Sequence, residues 1–238
     1  MGLSGVDTLL LNMEYLQNGI TLELAAGSFP LSTDSVALGA FVKLPKNAKA
    51  LDLCAGCGTL GLMLCAKDAS CHVTGIEINP DDHEMALHNI AANGLADRME
   101  SICGDACSLC PEPGRYHVVL SNPPYFSGGP MSTTARRDDL CPPEQLFKAA
   151  ARALRYGGDF FLVHRPEALA HLCGLGAQNG LEAKELCLLR HKENGPVSMI
   201  LLKLRKGGKP GLMITEEALY DEQGLPTPYY KTIYHLGA

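Results

Sequence analysis

The segment Asn122-Pro123-Pro124-Tyr125 combines residue types that suit the capture of a planar amino group. It follows the apolar run 118–120, so it stands at the end of the strand predicted at 117–121. The prolines restrict the backbone and supply no amide donors, which leaves carbonyl oxygens available as acceptors. The Asn122 side-chain oxygen and the Pro123 carbonyl can accept the two hydrogens of an NH2 group, while Tyr125 stacks on the attached planar group. A rigid loop without a ligand is the alternative interpretation.

A second motif, Asp52-Leu53-Cys54-Ala55-Gly56-Cys57-Gly58-Thr59-Leu60-Gly61, joins a predicted strand to a predicted helix. Gly56 and Gly58 let the backbone approach a ligand closely, in conformations that a side chain would forbid. The spacing also fits the Gly-x-Gly-x-x-Gly loop that holds a dinucleotide pyrophosphate at a helix N-terminus. The loop by itself therefore leaves open whether a nicotinamide or flavin dinucleotide or another nucleoside cofactor binds.

Acidic residues follow the next two predicted strands. Glu77, followed by Ile78, ends the second strand, where a carboxylate can accept hydrogen bonds from both ribose hydroxyls of a nucleoside. Asp105, followed by Ala106, comes after the third strand, where it can accept an adenine amine or simply bond its own turn. Because open α/β sheets bind ligands along the carboxyl edge of their strands, these residues are predicted to share one pocket with the glycine loop.

Ten cysteines include two Cys-x-x-Cys pairs, Cys54/Cys57 and Cys107/Cys110, whose spacing is compatible with zinc. The first pair lies inside the nucleotide-like loop, which a closed metal site would block, so we predict no metal and interpret most cysteines as small buried residues in a reducing compartment.

Composition narrows the class of protein. The 46% hydrophobic share, the absence of a long apolar run and the lack of a secretory leader predict a cytoplasmic globular protein that does not enter a membrane. The net charge of −6 argues against a uniformly basic nucleic-acid binder. Residues 126–209 nevertheless carry 13 Lys and Arg against 8 Asp and Glu, so a local basic face remains available for phosphates.

Hydrophobic periodicity predicts the elements that position these motifs. Alternating βα units indicate a mostly parallel sheet that ends in an antiparallel hairpin, whose strands are 182–190 and 197–205. Parallel strands are predicted at 48–54, 71–78, 98–103, 117–121 and 159–164, and helices at 60–67, 80–93, 142–156 and 166–180. Before them, Asn18-Gly19 favours a hairpin turn, and Thr33 or Asp34 is predicted to cap a helix that reaches Phe41.

With Asn-Pro-Pro-Tyr after the fourth strand, the sequence resembles the adenine-N6 and glutamine-N5 amino methyltransferases. It is most similar to the small bacterial enzymes that methylate adenine N6 in valine tRNA, which have a Phe/Leu-Ser-x-Asp motif like Leu31-Ser32-Thr33-Asp34. The resemblance implies a Rossmann-like class I methyltransferase with a seven-stranded sheet, S-adenosylmethionine as cofactor and tRNA as substrate. The order of the predicted elements divides the chain into a hairpin and helix extension (1–48), the methyltransferase domain (49–209) and a tail (210–238).

The predicted site follows from the motifs and the resemblance together. The residues predicted to act on the substrate amine are Asn122, Pro123, Pro124 and Tyr125. Those predicted to bind the cofactor are Asp34, Asp52, Cys54, Ala55, Gly56, Gly58, Glu77, Ile78, Asp105, Ala106 and Asn122. The candidates for RNA phosphate contacts are Arg136, Arg137, Lys192, Lys203, Arg205 and Lys206.

Three alternatives are weighed against this interpretation. A protein-glutamine methyltransferase uses the same amine chemistry, but such enzymes carry a preceding recognition domain for which 48 residues are too few. A dinucleotide oxidoreductase does not explain residues 122–125. A binding module that keeps the fold without the activity is the third, because fold alone does not establish function. The sequence predicts no oligomeric state.

Overall fold

The central strands at 49–53, 72–77 and 116–121 come from short apolar runs that are buried on both faces, as is typical of parallel sheets covered by helices. The computed structural model describes residues 12–24, 31–109, 112–123 and 141–235. The strands are β1 (Asn12–Tyr15), β2 (Thr21–Leu24), β3 (Lys49–Leu53), β4 (His72–Glu77), β5 (Met99–Cys103), β6 (Tyr116–Ser121), β7 (Leu154–His164), β8 (Leu181–Lys192), β9 (Val197–Lys206) and β10 (Met213–Tyr220). The α-helices are α1 (Thr33–Phe41), α2 (Thr59–Lys67), α3 (Pro80–Ala92), α4 (Pro143–Ala153), α5 (Leu169–Gln178) and α6 (Pro228–Ile233).

The main sheet has the strand order β10-β8-β9-β7-β6-β3-β4-β5. Strands β3 to β7 are parallel, and β9 is antiparallel to both β7 and β8. The predicted α/β architecture with antiparallel strands near its end is therefore confirmed. The sheet has eight strands instead of seven, because β10 from the tail pairs in parallel with β8.

Two apolar cores lie on opposite faces of this sheet. Helices α1, α2, α3 and α6 contribute side chains to one core, and α4 and α5 contribute to the other. Alternation along β3 divides its side chains between them, with Ala50 in the first core and Leu51 and Leu53 in the second. By the same alternation Asp52 faces the first core, beneath α2. No helix among the described residues is long and apolar enough to span a membrane.

The N-terminal hairpin braces the helix that follows β4. Asn18 and Gly19 have left-handed φ values of 55° and 76° between β1 and β2, as the turn prediction required. The Asn93 side chain exchanges two hydrogen bonds with the Thr21 backbone, and Asn89 does the same with Glu23. Asn89, which is fully buried, also donates to the Cys57 carbonyl at 3.1 Å. The hairpin is thereby tied through α3 to the glycine loop.

The ends of several helices differ from those predicted from local sequence patterns. The helix α1 begins at Thr33, but its cap is Ser32, whose hydroxyl accepts from the Ser35 amide, so the predicted capping by Thr33 or Asp34 is wrong. The predicted helix 142–156 ends at Ala153 because the chain enters β7 there. Gly157, with φ of 78°, lies in an irregular part of that strand and does not terminate a helix.

Candidate active site at the carboxyl edge of the sheet

Hydrogen bonds join the carboxyl ends of the four strands β3 to β6. The Ser121 hydroxyl donates to the Leu53 carbonyl at 2.7 Å, and the Ala55 amide donates to the Ile76 carbonyl at 3.0 Å. The Gly104 amide donates to the Glu77 carbonyl at 2.8 Å. The motifs identified in the sequence therefore converge on one edge, as the predicted parallel sheet requires.

The loop between β3 and α2 uses three left-handed residues. Cys54, Gly56 and Gly58 have φ values of 65°, 55° and 86°. A side chain at Gly56 would meet nothing within 4 Å, so the outer side of the loop is open for a ligand. Gly61 is constrained by packing instead, because an added Cβ would lie 2.4 Å from the Met99 side chain. Cys54 is the strained member of the set, since a side chain disfavours this conformation.

Glu77 lies at the carboxyl edge of the sheet and also anchors the glycine loop between β3 and α2. One carboxylate oxygen accepts from the Gly56 amide at 2.7 Å, and the other accepts from the Asn79 amide at 2.8 Å. Each carboxylate oxygen has a second acceptor position, so these bonds leave capacity for the two hydroxyls of a ribose. Ile78, next along the chain, exposes 40% of its surface and offers an apolar contact for a planar base.

Asp52 has two buried carboxylate oxygens with no hydrogen-bond partner among the described residues. Burial and the nearby Glu77 charge raise its pKa to about 8, and the Gly61 amide opposes them without reversing the shift. A buried polar group without a partner is costly unless a ligand or a proton satisfies it. A cation such as the ammonium group of an S-adenosylmethionine-like cofactor would satisfy these oxygens, so the chemistry of Asp52 is compatible with its predicted cofactor role, which remains a prediction.

We predict that cofactor binding is linked to the protonation of Asp52. Because its pKa in the free protein is about 8, the side chain carries a proton at pH 6 to 7 that a bound ammonium group would displace. The affinity for S-adenosylhomocysteine should therefore fall by up to about tenfold per pH unit as the pH decreases below 8. Calorimetry in buffers of different ionisation enthalpy measures both the affinity and the proton released. Asp52→Asn should abolish the proton release that accompanies binding. If this variant releases as many protons as the unmodified protein, the released proton comes from another group.

Asp105 and Ala106 occupy the turn after β5. One Asp105 carboxylate oxygen accepts from the Cys107 amide at 2.8 Å, which is the turn interaction that the sequence left open as an alternative. Ala106 is buried and packs against the second core. A role for Asp105 in binding the cofactor adenine remains a prediction.

Asn122 follows β6 and is held by a residue from α1. Its amide nitrogen donates to the Ser35 hydroxyl oxygen at 3.0 Å, and Ser35 is in turn bonded to Ser32. The contact ties the Asn122 side chain to the first turn of α1, with the Ser35 hydroxyl as the acceptor. Ser35 was not among the site residues predicted from the sequence. Its place in the helix-start motif, near Asp34, was the available signal. Pro123 is buried, and Pro124 and Tyr125 lie outside the described residues.

A cavity of about 140 Å³ opens near this helix start, lined by Asp34, His164, Arg165, Ser198 and Met199. The last residue of β7, His164, accepts from the Arg165 amide at 2.9 Å through Nδ1, which places its proton on Nε2. Burial lowers the His164 pKa, and a backbone contact with Arg165 offsets only part of this shift. The cavity thus presents both donors and acceptors beside the segment that contains Asn122.

Three of the four described residues in the predicted basic face are engaged in other interactions. Lys203 is 6% exposed and lies 2.8 Å from a Glu185 oxygen and 3.5 Å from an Asp159 oxygen. Arg205 binds Asp159 through two bonds of 2.7 and 2.8 Å, and Lys206 donates to two backbone carbonyls. The prediction that Lys203 contacts RNA phosphate is wrong because it is buried in an ion network. Arg205 and Lys206 lie with it toward the amino-terminal end of β7, away from the glycine loop.

Lys192 differs from that group. It is the last residue of β8, it is exposed, and it lies on the same edge of the sheet as the glycine loop. Arg136 and Arg137 lie outside the described residues. Among the residues that the structure does describe, no three His, Cys, Asp or Glu side chains are grouped to hold a metal ion.

The fold and this site define an S-adenosylmethionine-dependent methyltransferase. The chain belongs to the methyltransferase small domain family. The family model matches residues 33–173, which are more than half of the chain. The predicted class, fold and cofactor are thereby confirmed.

Individual relatives agree with this assignment. The chain is 29% identical over 190 residues to the tRNA1(Val) (adenine(37)-N6)-methyltransferase of Vibrio parahaemolyticus, covering 78% of this chain and 79% of the relative. It is 30% identical to the enzyme of the same name from Vibrio campbellii, covering 74% and 76%. The predicted resemblance to this group is confirmed.

Solved structures support the fold. A predicted O-methyltransferase from Agrobacterium tumefaciens superposes with a TM-score of 0.70 at 19% identity, covering 85% of this chain and 96% of that one. The 16S rRNA N2 G1207 methyltransferase RsmC of Thermus thermophilus superposes with a TM-score of 0.61 at 21% identity, covering 85% and 52%.

Proposed function

We propose that this enzyme transfers a methyl group to the exocyclic N6 amine of an adenine in tRNA. The observation that carries this proposal is the position of Asn122, which is bonded to Ser35 at the edge that also presents Glu77 and the glycine loop. The names of the relatives support adenine N6 in a valine tRNA as the target.

The chain's own groups would bind the amine and stabilise its developing charge. The Asn122 side-chain oxygen and the Pro123 carbonyl accept the two N6 hydrogens, and this orients the nitrogen lone pair. Bound S-adenosylmethionine supplies an electrophilic methyl group on a sulfonium. As the nitrogen becomes pyramidal and positive, both acceptors interact with it more strongly than in the ground state. One N6 proton then leaves to solvent, and no strong base is required.

The RNA would approach across the surface formed by the ends of β8 and β10 and by α6. His191, Tyr220, Tyr230 and Tyr234 form a row there, with ring centroids 5.1, 5.1 and 4.4 Å apart. The Tyr234 hydroxyl lies 3.1 Å from the Thr33 hydroxyl, so the row reaches the start of α1. Aromatic rings beside cations such as Lys192 suit unpaired bases and phosphates. The acidic net charge is compatible with a surface of this limited size.

Two lysines provide a matched test of this approach surface. Lys192→Ala should weaken tRNA binding about threefold, with unchanged thermal stability. The slope of the logarithm of the binding constant against the logarithm of salt concentration should fall by the equivalent of about one phosphate contact. Lys203→Ala should lower the free energy of unfolding by about 2 kcal/mol. The change removes the buried cation between Glu185 and Asp159, which keep only Lys43 and Arg205 as partners. Electrophoretic binding assays across salt concentrations and denaturant unfolding measure the two effects. If Lys203→Ala changes the salt dependence while stability stays constant, the two lysines have been assigned the wrong way round.

The proposed reaction is tested with radiolabelled S-adenosylmethionine and tRNA from a strain that lacks the modification. The RNA is digested to nucleosides after incubation, and we expect label in N6-methyladenosine. Label in a protein glutamine, measured in a parallel reaction with cell protein, would replace the proposal with the glutamine alternative. If calorimetry shows that the cofactor binds but neither RNA nor protein becomes labelled, the protein would be a binding module without methyltransferase activity.

A further inference from the structure

Two successive contacts link three cysteine thiols beside the glycine loop, with Cys141 in the middle. The sulfurs of Cys107 and Cys141 are 2.7 Å apart, and Cys141 also contacts the Cys54 thiol. Cys141 is buried, whereas Cys54 and Cys107 are partly exposed. The cluster uses one residue from each Cys-x-x-Cys pair and a third, Cys141, that neither pair contains. The spacing in the sequence did not indicate it.

Each of the three cysteines lies in a different segment at the carboxyl edge of the sheet. Cys54 lies in the left-handed position of the loop after β3. Cys107 follows β5, and its amide is bonded to the Asp105 side chain. Cys141 immediately precedes Pro142, the N-cap of α4. A link between Cys107 and Cys141 would therefore join the turn that carries Asp105 to the helix that follows Asn122 in the chain.

We propose that Cys107 and Cys141 are a reversible dithiol–disulfide pair that couples the oxidation state to methyl transfer. The sulfurs need to approach by less than 1 Å to reach the bonded length of about 2.05 Å. The oxidant is a low-molecular-weight disulfide. One protein thiolate attacks it and releases one small thiolate, and the second protein thiolate then displaces the other. Two protein S–H bonds are lost, one protein S–S bond forms, and the small disulfide is reduced to two thiols.

Bond formation should be slow at neutral pH. The contact with Cys141 and partial burial raise the Cys107 pKa. The hydrogen bond with Cys107 lowers the Cys141 pKa, but the contact with Cys54 and burial outweigh it and the net shift is upward. Since the thiolate is the attacking form, the rate should increase as the pH rises from 7 to 9. Equilibrium measurements avoid this kinetic barrier.

The bond is expected to reduce turnover. It fixes the Asp105 turn against the start of α4, so these two segments can no longer adjust independently around cofactor and substrate. The coupling is reciprocal, and a cofactor that binds the reduced form more tightly must shift the redox midpoint toward the dithiol. This inference depends on the placement of the thiols and on methyltransferase activity, and not on which adenine is methylated.

The test equilibrates the full-length protein with reduced and oxidised glutathione at pH 8, then alkylates the free thiols. We expect the number of free thiols to fall from ten to eight, with one peptide pair containing Cys107 and Cys141. Activity should fall at least fivefold and return with dithiothreitol. If the assigned tRNA substrate is not methylated, cofactor affinity replaces activity as the readout, which keeps the two proposals distinguishable.

Variants separate this pair from general oxidation. Cys141→Ser and Cys141→Ala should retain activity in the oxidised buffer, whereas Cys173→Ser, a partly exposed thiol on α5, should be inhibited like the unmodified chain. A different pairing, or ten free thiols at all redox ratios, would overturn the assignment. A Cys107–Cys141 bond that leaves the rate unchanged would overturn the coupling.

Discussion

Replacing Asn122 with alanine should reduce kcat by about 10³-fold or more while cofactor affinity changes less than threefold. The side-chain oxygen is expected to accept from the amine as the nitrogen becomes positive, so its loss affects the transition state more than the ground state. The amide nitrogen donates to the Ser35 hydroxyl oxygen, and we predict that the side-chain oxygen accepts from the substrate amine. Single-turnover methylation and calorimetry with S-adenosylhomocysteine measure the two quantities.

Two further variants distinguish chemistry from positioning. Asn122→Asp keeps a carbonyl-type acceptor and should retain far more activity than the alanine variant. Ser35→Ala removes only the hydroxyl that accepts from the Asn122 amide nitrogen. Because the Asn122 amide can then rotate, kcat should fall about tenfold while KM stays nearly unchanged. Equal losses of turnover and cofactor affinity in Asn122→Ala would show that Asn122 binds cofactor instead.

Much of the site was predictable because it depends on local pattern and sheet geometry. The ends of parallel strands must meet at one edge, so Glu77, Asp105 and Asn122 were expected to lie together once their strands had been identified. The glycine positions followed from the same reasoning, since Gly56 and Gly58 adopt the left-handed conformations that their residue type permits.

Features set by long-range contacts were not predictable in this way. Ser35 meets Asn122 across 87 residues, and Cys107 meets Cys141 across 34. Lys203 looked like a surface cation in the sequence, but the pairing of β9 with β7 and β8 brings it between Asp159 and Glu185. Only the tertiary arrangement decides whether such a charge is solvated or paired.

The tail illustrates the same limit. No periodic signal had assigned residues 213–220, whose side chains are largely exposed, yet they form the parallel edge strand β10. The strand is specified by backbone pairing with β8 and by the packing of Tyr220 against Tyr230, both of which require the rest of the sheet. Propensity is a weak guide for an edge strand of this kind.

Replacing Glu77 with alanine is expected to weaken cofactor binding about 100-fold, the second large effect. The carboxylate is predicted to accept two ribose hydroxyls, and hydrogen bonds to a charged group contribute about 1.5 to 3 kcal/mol each. The same change leaves the Gly56 and Asn79 amides without acceptors, so the loop should also lose stability. Calorimetry with S-adenosylhomocysteine gives the affinity, and thermal unfolding of the free protein gives the stability.

Comparing variants separates the two roles of Glu77. Glu77→Gln keeps an acceptor for one amide but loses the charge, so it should restore part of the stability and little of the affinity. Glu100→Gln is the control, because Glu100 accepts a hydrogen bond from Thr74 on β4 and does not contact the glycine loop. Its affinity should match that of the unmodified protein. Should Glu77→Ala unfold at a lower temperature and yet bind S-adenosylhomocysteine normally, Glu77 would be an anchor of the loop alone, and the ribose would require another acceptor.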